Sequence, residues 1–81
     1  MSGKPVRLTV PAVEPGLCKI MADGKRTGFI LAEFRGWRAV LFPVASALVR
    51  PAGSEEVTGK TLGDLRAVLR ERVERDGPWW K

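Results

Sequence analysis

Two short glycine-containing turns divide the first half of this sequence into consecutive extended segments. In chain order these are residues 17–22, the turn Asp23-Gly24, residues 27–34, the turn Arg35-Gly36 and residues 37–42. Asp-Gly is a favoured pair in tight β-hairpin turns, because both turn positions accept positive backbone φ angles. Pro43 ends the third segment, since proline has no N–H to donate to a β-ladder. We therefore predict an antiparallel meander of three strands.

Three further segments can add strands at the edges of this sheet. Residues 6–10 alternate apolar and polar side chains, as a half-buried strand does. Residues 45–49 are mostly apolar, and residues 57–58 form a short β-branched pair. Residues 11–16 are rich in proline and glycine and predict a connecting turn region. The expected sheet therefore has three to five strands.

One amphipathic helix is predicted over residues 61–76. Its apolar side chains recur at helical spacing: Leu62, Leu65, Val68, Leu69 and Val73. Thr61 is a good N-cap, and Gly77 followed by Pro78 is a natural stop. The sequence thus predicts an α+β fold with a β-β-β-α core, in which the antiparallel sheet packs on one C-terminal α-helix. A small barrel is the alternative, if the extra strands close the sheet.

The chain of 81 residues is short enough that we expect one domain over residues 1–81. Within it we expect a loose tail at residues 1–5 and a strand-rich sheet at residues 6–50. The helix at residues 61–76 follows, and then a tryptophan-bearing tail at residues 77–81.

The two turns set an expected strand register, and the register decides which side chains share a face. With Arg35-Gly36 as the turn, Ile30 pairs with Leu41, and Glu33 lies beside Arg38 for an ion pair. The face expected to pack on the helix is almost wholly apolar: Cys18, Ile20, Ala22, Phe29, Leu31, Val40 and Phe42. The opposite face is mixed: Leu17, Lys19, Met21, Arg26, Ile30, Ala32, Phe34, Trp37, Ala39 and Leu41.

A second face this apolar is costly to leave in water, so we expect it to be covered. Three covers remain open at this point. Additional strands or the tryptophan tail could close over it, a second copy or a protein partner could bind it, or it could serve as a nucleic-acid platform.

The sequence lacks the side chains that most enzymes and metal sites use. It has no histidine and a single cysteine, so neither the usual general base nor a conventional zinc site is available. Glu55 and Glu56 are adjacent, whereas acid–base pairs need two different environments. Gly59-Lys60-Thr61 resembles the end of a phosphate-binding loop but is better explained by helix capping. We predict a non-enzymatic protein with no cofactor and no metal.

Cysteine usage and hydropathy predict a cytoplasmic protein. Cys18 is alone and cannot form an intramolecular disulfide, and we expect it to be a buried core residue. Residues 1–10 lack the apolar core of a signal peptide. The longest apolar stretch, residues 39–49, is broken by Pro43 and Ser46, so we expect no membrane partner.

Basic residues supply one candidate functional surface. The net charge is +5, and residues 1–50 hold eight basic side chains against three acidic ones. Five of them lie on or near the predicted hairpins and could follow a phosphate backbone: Lys19, Lys25, Arg26, Arg35 and Arg38. The alternative is that these charges are solvated and only aid solubility.

Aromatic residues supply a second candidate surface. Phe34 and Trp37 flank the second turn, where they could stack on a base or fill a pocket. Trp79 and Trp80 either fold back over the sheet or helix, or anchor the chain in a partner, where tryptophan is enriched. We take all four as candidate partner-binding residues.

Part of the sequence resembles the N-terminal part of HicB-type antitoxins. The resemblance rests on Gly36-Trp37, Val40 and Phe42-Pro43, followed by the run from Val57 to Leu62, and covers residues 27–73. In that family a glycine-aromatic strand ending in Phe-Pro precedes a short strand and a threonine-capped helix. The resemblance implies a β-β-β-α topology.

These observations lead to two functional hypotheses. The first is a regulatory or accessory interaction module, of the kind mobile elements carry, that binds a protein partner or itself through the mixed sheet face. The second is a nucleic-acid-binding protein that uses the basic hairpin tips.

Overall fold

A computed structural model of the protein describes residues 6–80. The predicted loose tail at residues 1–5 and the last residue of the predicted tryptophan tail lie outside this range. Six strands precede one helix: β1 (Leu8–Thr9), β2 (Ala12–Glu14), β3 (Leu17–Ala22), β4 (Lys25–Glu33), β5 (Gly36–Leu41), β6 (Glu55–Gly59) and α1 (Leu62–Asp76). The predicted α+β class, with an antiparallel sheet and a C-terminal helix, is confirmed.

The six strands form one antiparallel sheet in the order β1-β3-β4-β5-β6, with β2 also pairing with β3. Strands β1 and β2 pair with the same edge of β3, β1 beside its C-terminal end and β2 beside its N-terminal end. Val10 and Pro11 separate them, because proline has no N–H to donate to the ladder. Over residues 6–80 the strand order has two ends and the sheet is open, so the small-barrel alternative is wrong.

Three local expectations about the strands also need correction. The predicted turn region at residues 11–16 contains β2, and the first predicted strand shrinks to β1. Residues 45–49 form no strand, whereas the brief extension expected at residues 57–58 is the five-residue strand β6. The sheet is therefore extended by β6 and not by residues 45–49.

Helix α1 begins and ends where local capping predicts. The Thr61 side chain accepts a hydrogen bond from the Asp64 N–H at 3.0 Å. At the other end Gly77 has φ 80° and donates its N–H to the Val73 carbonyl at 2.9 Å. Leu65 and Leu69 are the buried residues of the helix. Part of the predicted apolar stripe, Val68, is instead exposed.

The two-residue turn of the second hairpin lies one residue earlier than the sequence suggests. Glu33 pairs with Gly36, so Phe34 and Arg35 form the tip, and Ile30 pairs with Ala39 where Leu41 was expected. This shift moves each pairing by two positions and leaves the faces unchanged, because side chains alternate with a period of two. The predicted ion pair between Arg38 and Glu33 is confirmed, with Nε and Oε2 2.8 Å apart.

The first hairpin contains a β-bulge that overturns the predicted faces. Ile20 pairs with Gly28 and Met21 with Arg26, which leaves Thr27 as an extra residue in β4. Thr27 is fully buried, and its hydroxyl donates to the Ile20 carbonyl at 3.2 Å. Because of the extra residue, Cys18 and Ile20 of β3 share a face with Ile30 and not with Phe29 as predicted.

For β4 and β5 the helix consequently packs on the face opposite to the one expected, whereas Cys18 and Ile20 of β3 face the helix as predicted. The buried core between sheet and helix contains Cys18, Ile20, Ile30, Ala39, Leu41, Leu65 and Leu69. Phe29, Leu31, Val40 and Phe42 lie on the face that the helix does not cover. The predicted core grouping of Phe29 with Ile20 is therefore wrong. The expectation that Cys18 is buried is confirmed.

Candidate interaction groove

The sheet face away from the helix is crossed by residues 43–50, which we call the covering segment. Its backbone is attached to β4: the Ser46 N–H donates to the Arg26 carbonyl at 2.6 Å, and the Arg26 guanidinium donates to the Ala47 carbonyl. The apolar side chains of the segment nevertheless face water, since Leu48 is 91% exposed and Val49 76% exposed. The segment therefore adds apolar surface to this face while covering only part of it.

An open groove of about 350 Å³ lies between the covering segment and strands β2 to β4. Its lining comes from four parts of the chain: Val13, Leu17, Cys18, Lys19, Arg26, Phe29, Phe42, Leu48, Val49 and Arg50. Phe29 and Phe42 pack edge to face there, with ring centroids 5.7 Å apart. We call this feature the apolar groove. Its lining is mainly hydrophobic with a few polar groups, as in many binding sites.

The polar side chains of the apolar groove are all cationic. Lys19, Arg26 and Arg50 contribute to its lining, which contains no carboxylate. Arg26 is partly buried, and its Nε has no hydrogen-bond partner among residues 6–80. Arg50 reaches away from the groove to Glu56, with Nη2 and Oε2 2.8 Å apart. The groove thus combines an apolar lining with positive charge.

A surface ion-pair network lies beside the groove and occupies one of the predicted nucleic-acid contacts. Arg38 bonds to both Glu33 and Glu56, and these interactions raise the pKa of the Arg38 guanidinium, with the Glu33 hydrogen bond as the largest cause. The hydrogen bonds from Arg50 and then Arg38 lower the pKa of the Glu56 carboxyl. Arg38 is thereby compensated by two carboxylates within the protein.

The five basic residues proposed for nucleic acid do not form one patch. Lys25 begins β4 and Arg35 lies beyond its far end, so they lie at opposite ends of a nine-residue strand, roughly 30 Å apart at strand spacing. Arg35 lies over the Phe34 ring, 5.7 Å from its centroid. Of the five, the structure brings Lys19 and Arg26 together, at the apolar groove.

The four aromatic candidates divide into one exposed and three partly buried residues. Phe34 is 95% exposed at the hairpin tip. Trp37 and Trp79 pack against the core, and the Trp79 Nε1 donates to the Thr27 carbonyl at 3.0 Å. Trp80 packs edge to face on Trp79, with centroids 4.9 Å apart. Trp79 thus folds back onto the sheet and the core, and Trp80 packs on Trp79.

Eight residues of the apolar groove were absent from the candidate site residues named from the sequence: Val13, Leu17, Cys18, Phe29, Phe42, Leu48, Val49 and Arg50. The sequence signal for Leu48 and Val49 is the apolar stretch after Pro43, which predicts an added strand or a cover for the sheet. Because the segment has no helical or strand periodicity, nothing in its pattern shows that its apolar side chains remain exposed.

Comparison with known proteins adds no family to these observations: no family model, no curated protein and no solved structure matches the chain. Within residues 6–80, no helix is long and apolar enough to cross a membrane. The same residues contain no group of three histidine, cysteine or carboxylate side chains placed to hold a metal ion.

Proposed function

We propose that the protein is a non-enzymatic interaction module, a small cytoplasmic regulatory or accessory protein that binds a protein partner through the apolar groove. One observation carries the proposal: Leu48 and Val49, at 91% and 76% exposure, border the same groove as the half-exposed Val13. Contiguous exposed apolar surface of this kind marks interaction sites, whereas single exposed apolar residues are ordinary.

The size of the apolar contribution supports a binding role. Burying a leucine or valine side chain from full exposure contributes about 1.5–3 kcal/mol. Leu48 and Val49 together therefore offer about 3–5 kcal/mol to a partner that covers them. This free energy would stabilise a complex and does not stabilise the fold, because both side chains are exposed to water in the free protein.

Nucleic-acid binding through the basic hairpin tips is the alternative proposal. It is favoured by Lys25 and Arg35, which are exposed and form no ion pair with any carboxylate of residues 6–80. Such binding would weaken steeply with added salt, because each neutralised phosphate releases counterions.

The two proposals are separated by affinity capture from a lysate of the producing cells, with and without nuclease. The bait is the wild type, Leu48→Asp/Val49→Asp, or the control Val68→Asp, which places one added negative charge on the exposed side of the helix. We expect nuclease-resistant capture of a partner by the wild type and Val68→Asp, and its loss with the double variant. Capture that persists in the double variant contradicts the groove proposal. Nuclease-sensitive capture lost in Lys25→Gln/Arg35→Gln would support the alternative.

A further inference from the structure

We propose that the partner presents a short acidic segment with apolar side chains, which fills the apolar groove and places a carboxylate beside Lys19 and Arg26. This inference rests on the proposed function and specifies the chemistry of the partner. Three features of the groove lead to it: the sign of its charge, an unsatisfied donor in its wall and its limited volume.

The charge of the lining selects an anionic occupant. Lys19, Arg26 and Arg50 line the groove without a carboxylate among them. Arg50 belongs to a network of two arginines and two carboxylates with Arg38, Glu33 and Glu56, so the uncompensated positive charge of the groove is that of Lys19 and Arg26. Lys19 forms no ion pair with any described side chain. A carboxylate held between these cations gains charge-assisted hydrogen bonds, which are about twice as strong as neutral ones.

Arg26 provides a second and independent observation. One of its terminal nitrogens is used to hold the covering segment through Ala47, while its Nε is buried with no acceptor among the described residues. Leaving a buried donor unpaired is unfavourable, particularly on a charged group. A carboxylate bound in the groove beside the Arg26 side chain supplies the counter-charge that no described residue provides, which offsets the cost of burying the guanidinium.

The same features disfavour the other two occupants considered from the sequence. A symmetric dimer through this face would bring each cationic lining against its own copy, and like charges in close contact repel. A nucleic acid would meet the cations but not the apolar lining. The groove also lacks an open stacking surface, because Phe29 and Phe42 already pack edge to face on each other.

The dimensions indicate a segment and not a folded surface. A volume of about 350 Å³ lies near the lower limit for ligand sites, enough for a few side chains. Leu48 and Val49 stand at its rim and would contact the flanking residues of the bound segment.

The test uses a random twelve-residue peptide library displayed on phage. Peptides are selected on the wild-type protein and kept only if binding is lost on Leu48→Ser/Val49→Ser, which removes the apolar rim without adding charge and whose native fold is verified by amide NMR spectra. We expect these groove-dependent peptides to be enriched in Asp and Glu together with Leu, Phe or Trp. The counter-selection removes peptides that adhere to the basic protein at other places.

Selected peptides are then synthesised in matched pairs, in which every Asp or Glu is replaced by Asn or Gln. We expect the amide versions to bind at least about tenfold more weakly, the loss of roughly one charge-assisted hydrogen bond. Lys19→Gln should weaken the acidic peptides by a similar factor. Arg66→Gln, which removes a positive charge from the helix, should leave their affinity unchanged.

The outcomes distinguish this inference from the proposed function. If no groove-dependent peptide is recovered, the proposed function and this inference both fail. If groove-dependent peptides are neutral or basic, or if acid and amide versions bind equally, the groove remains a binding site and the acidic partner is wrong. Equal weakening by Arg66→Gln and Lys19→Gln also refutes it, because the attraction would then come from net charge alone.

Discussion

Replacing Trp79 by phenylalanine tests whether the tryptophan tail is part of the folded structure. The substitution keeps an aromatic ring against the core but removes the indole N–H that donates to the Thr27 carbonyl at 3.0 Å. That carbonyl retains the N–H of Phe42 at 2.9 Å, so it is not left unsatisfied. The expected loss is the net contribution of one hydrogen bond, about 1 kcal/mol, and a smaller amount for the lost ring area. For a domain of this size, each kcal/mol lowers Tm by about 4–8 °C.

Trp80 offers a matched control for that measurement. Its indole donates no hydrogen bond to a residue in the described range, so Trp80→Phe should change the free energy of unfolding by less than about 0.5 kcal/mol. Both variants and the wild type are unfolded in urea and followed by far-ultraviolet circular dichroism, because tryptophan fluorescence is altered by the substitutions themselves. A Trp79→Phe protein as stable as the wild type, or a Trp80→Phe protein that loses as much, would refute the reasoning.

Two further predictions concern the sheet. Gly28→Ala should destabilise the protein by several kcal/mol, because a Cβ at Gly28 overlaps the Val40 carbonyl oxygen. Gly24→Ala should cost only about 1 kcal/mol, because its Cβ meets open space and the positive φ of residue 24 is the only source of strain. Urea unfolding compares the two, and equal losses would contradict the clash argument. The two arginine hydrogen bonds that lower the pKa of Glu56 below 4.5 stabilise the fold above that pH, and this stabilisation is lost as the pH falls through the folded-state pKa. Wild type should therefore have a higher Tm than Glu56→Gln at pH 7 and lose that advantage progressively as the pH falls below 4.5. A gap that widens in acid would show the sign to be wrong.

The helix is the part of the fold that the sequence predicts best. Its ends are set by residues close in the chain: the Thr61 side chain accepts the N–H of Asp64, and Gly77 donates its N–H to the Val73 carbonyl. Interactions over three or four residues leave a local signature, so a single sequence is sufficient to locate both ends.

The sheet register depends on contacts that no local pattern contains. The bulge at Thr27 is held by its hydroxyl bond to Ile20 and by the indole of Trp79, which lies 52 residues further along the chain. Asp23-Gly24 correctly marks the turn. Counting residues from that turn, however, gives a ladder without a bulge, and hence the wrong faces beyond Thr27. A two-residue error, as at Phe34 and Arg35, preserves the faces, whereas the single extra residue exchanges them.

The candidate site was less predictable than the fold for a related reason. Its apolar rim comes from Leu48 and Val49, in a segment without periodicity that is positioned by the Arg26 contact to Ala47. Of the residues named from sequence for nucleic acid, Lys19 and Arg26 do reach the groove. Their shared location follows from the tertiary structure and not from their spacing in the chain.

The extra residue in β4 changes the phase of the strand, and the groove depends on that change. Arg26 and Phe29 are three positions apart, an odd separation that an uninterrupted strand places on opposite faces. Because Thr27 interrupts the alternation, both side chains line the same groove. Any comparison of this chain with another sequence must therefore align the two sides of residue 27 separately. Loss of the bulge at this position, with the rest of the strand in place, would put Arg26 and Phe29 on opposite faces of the sheet.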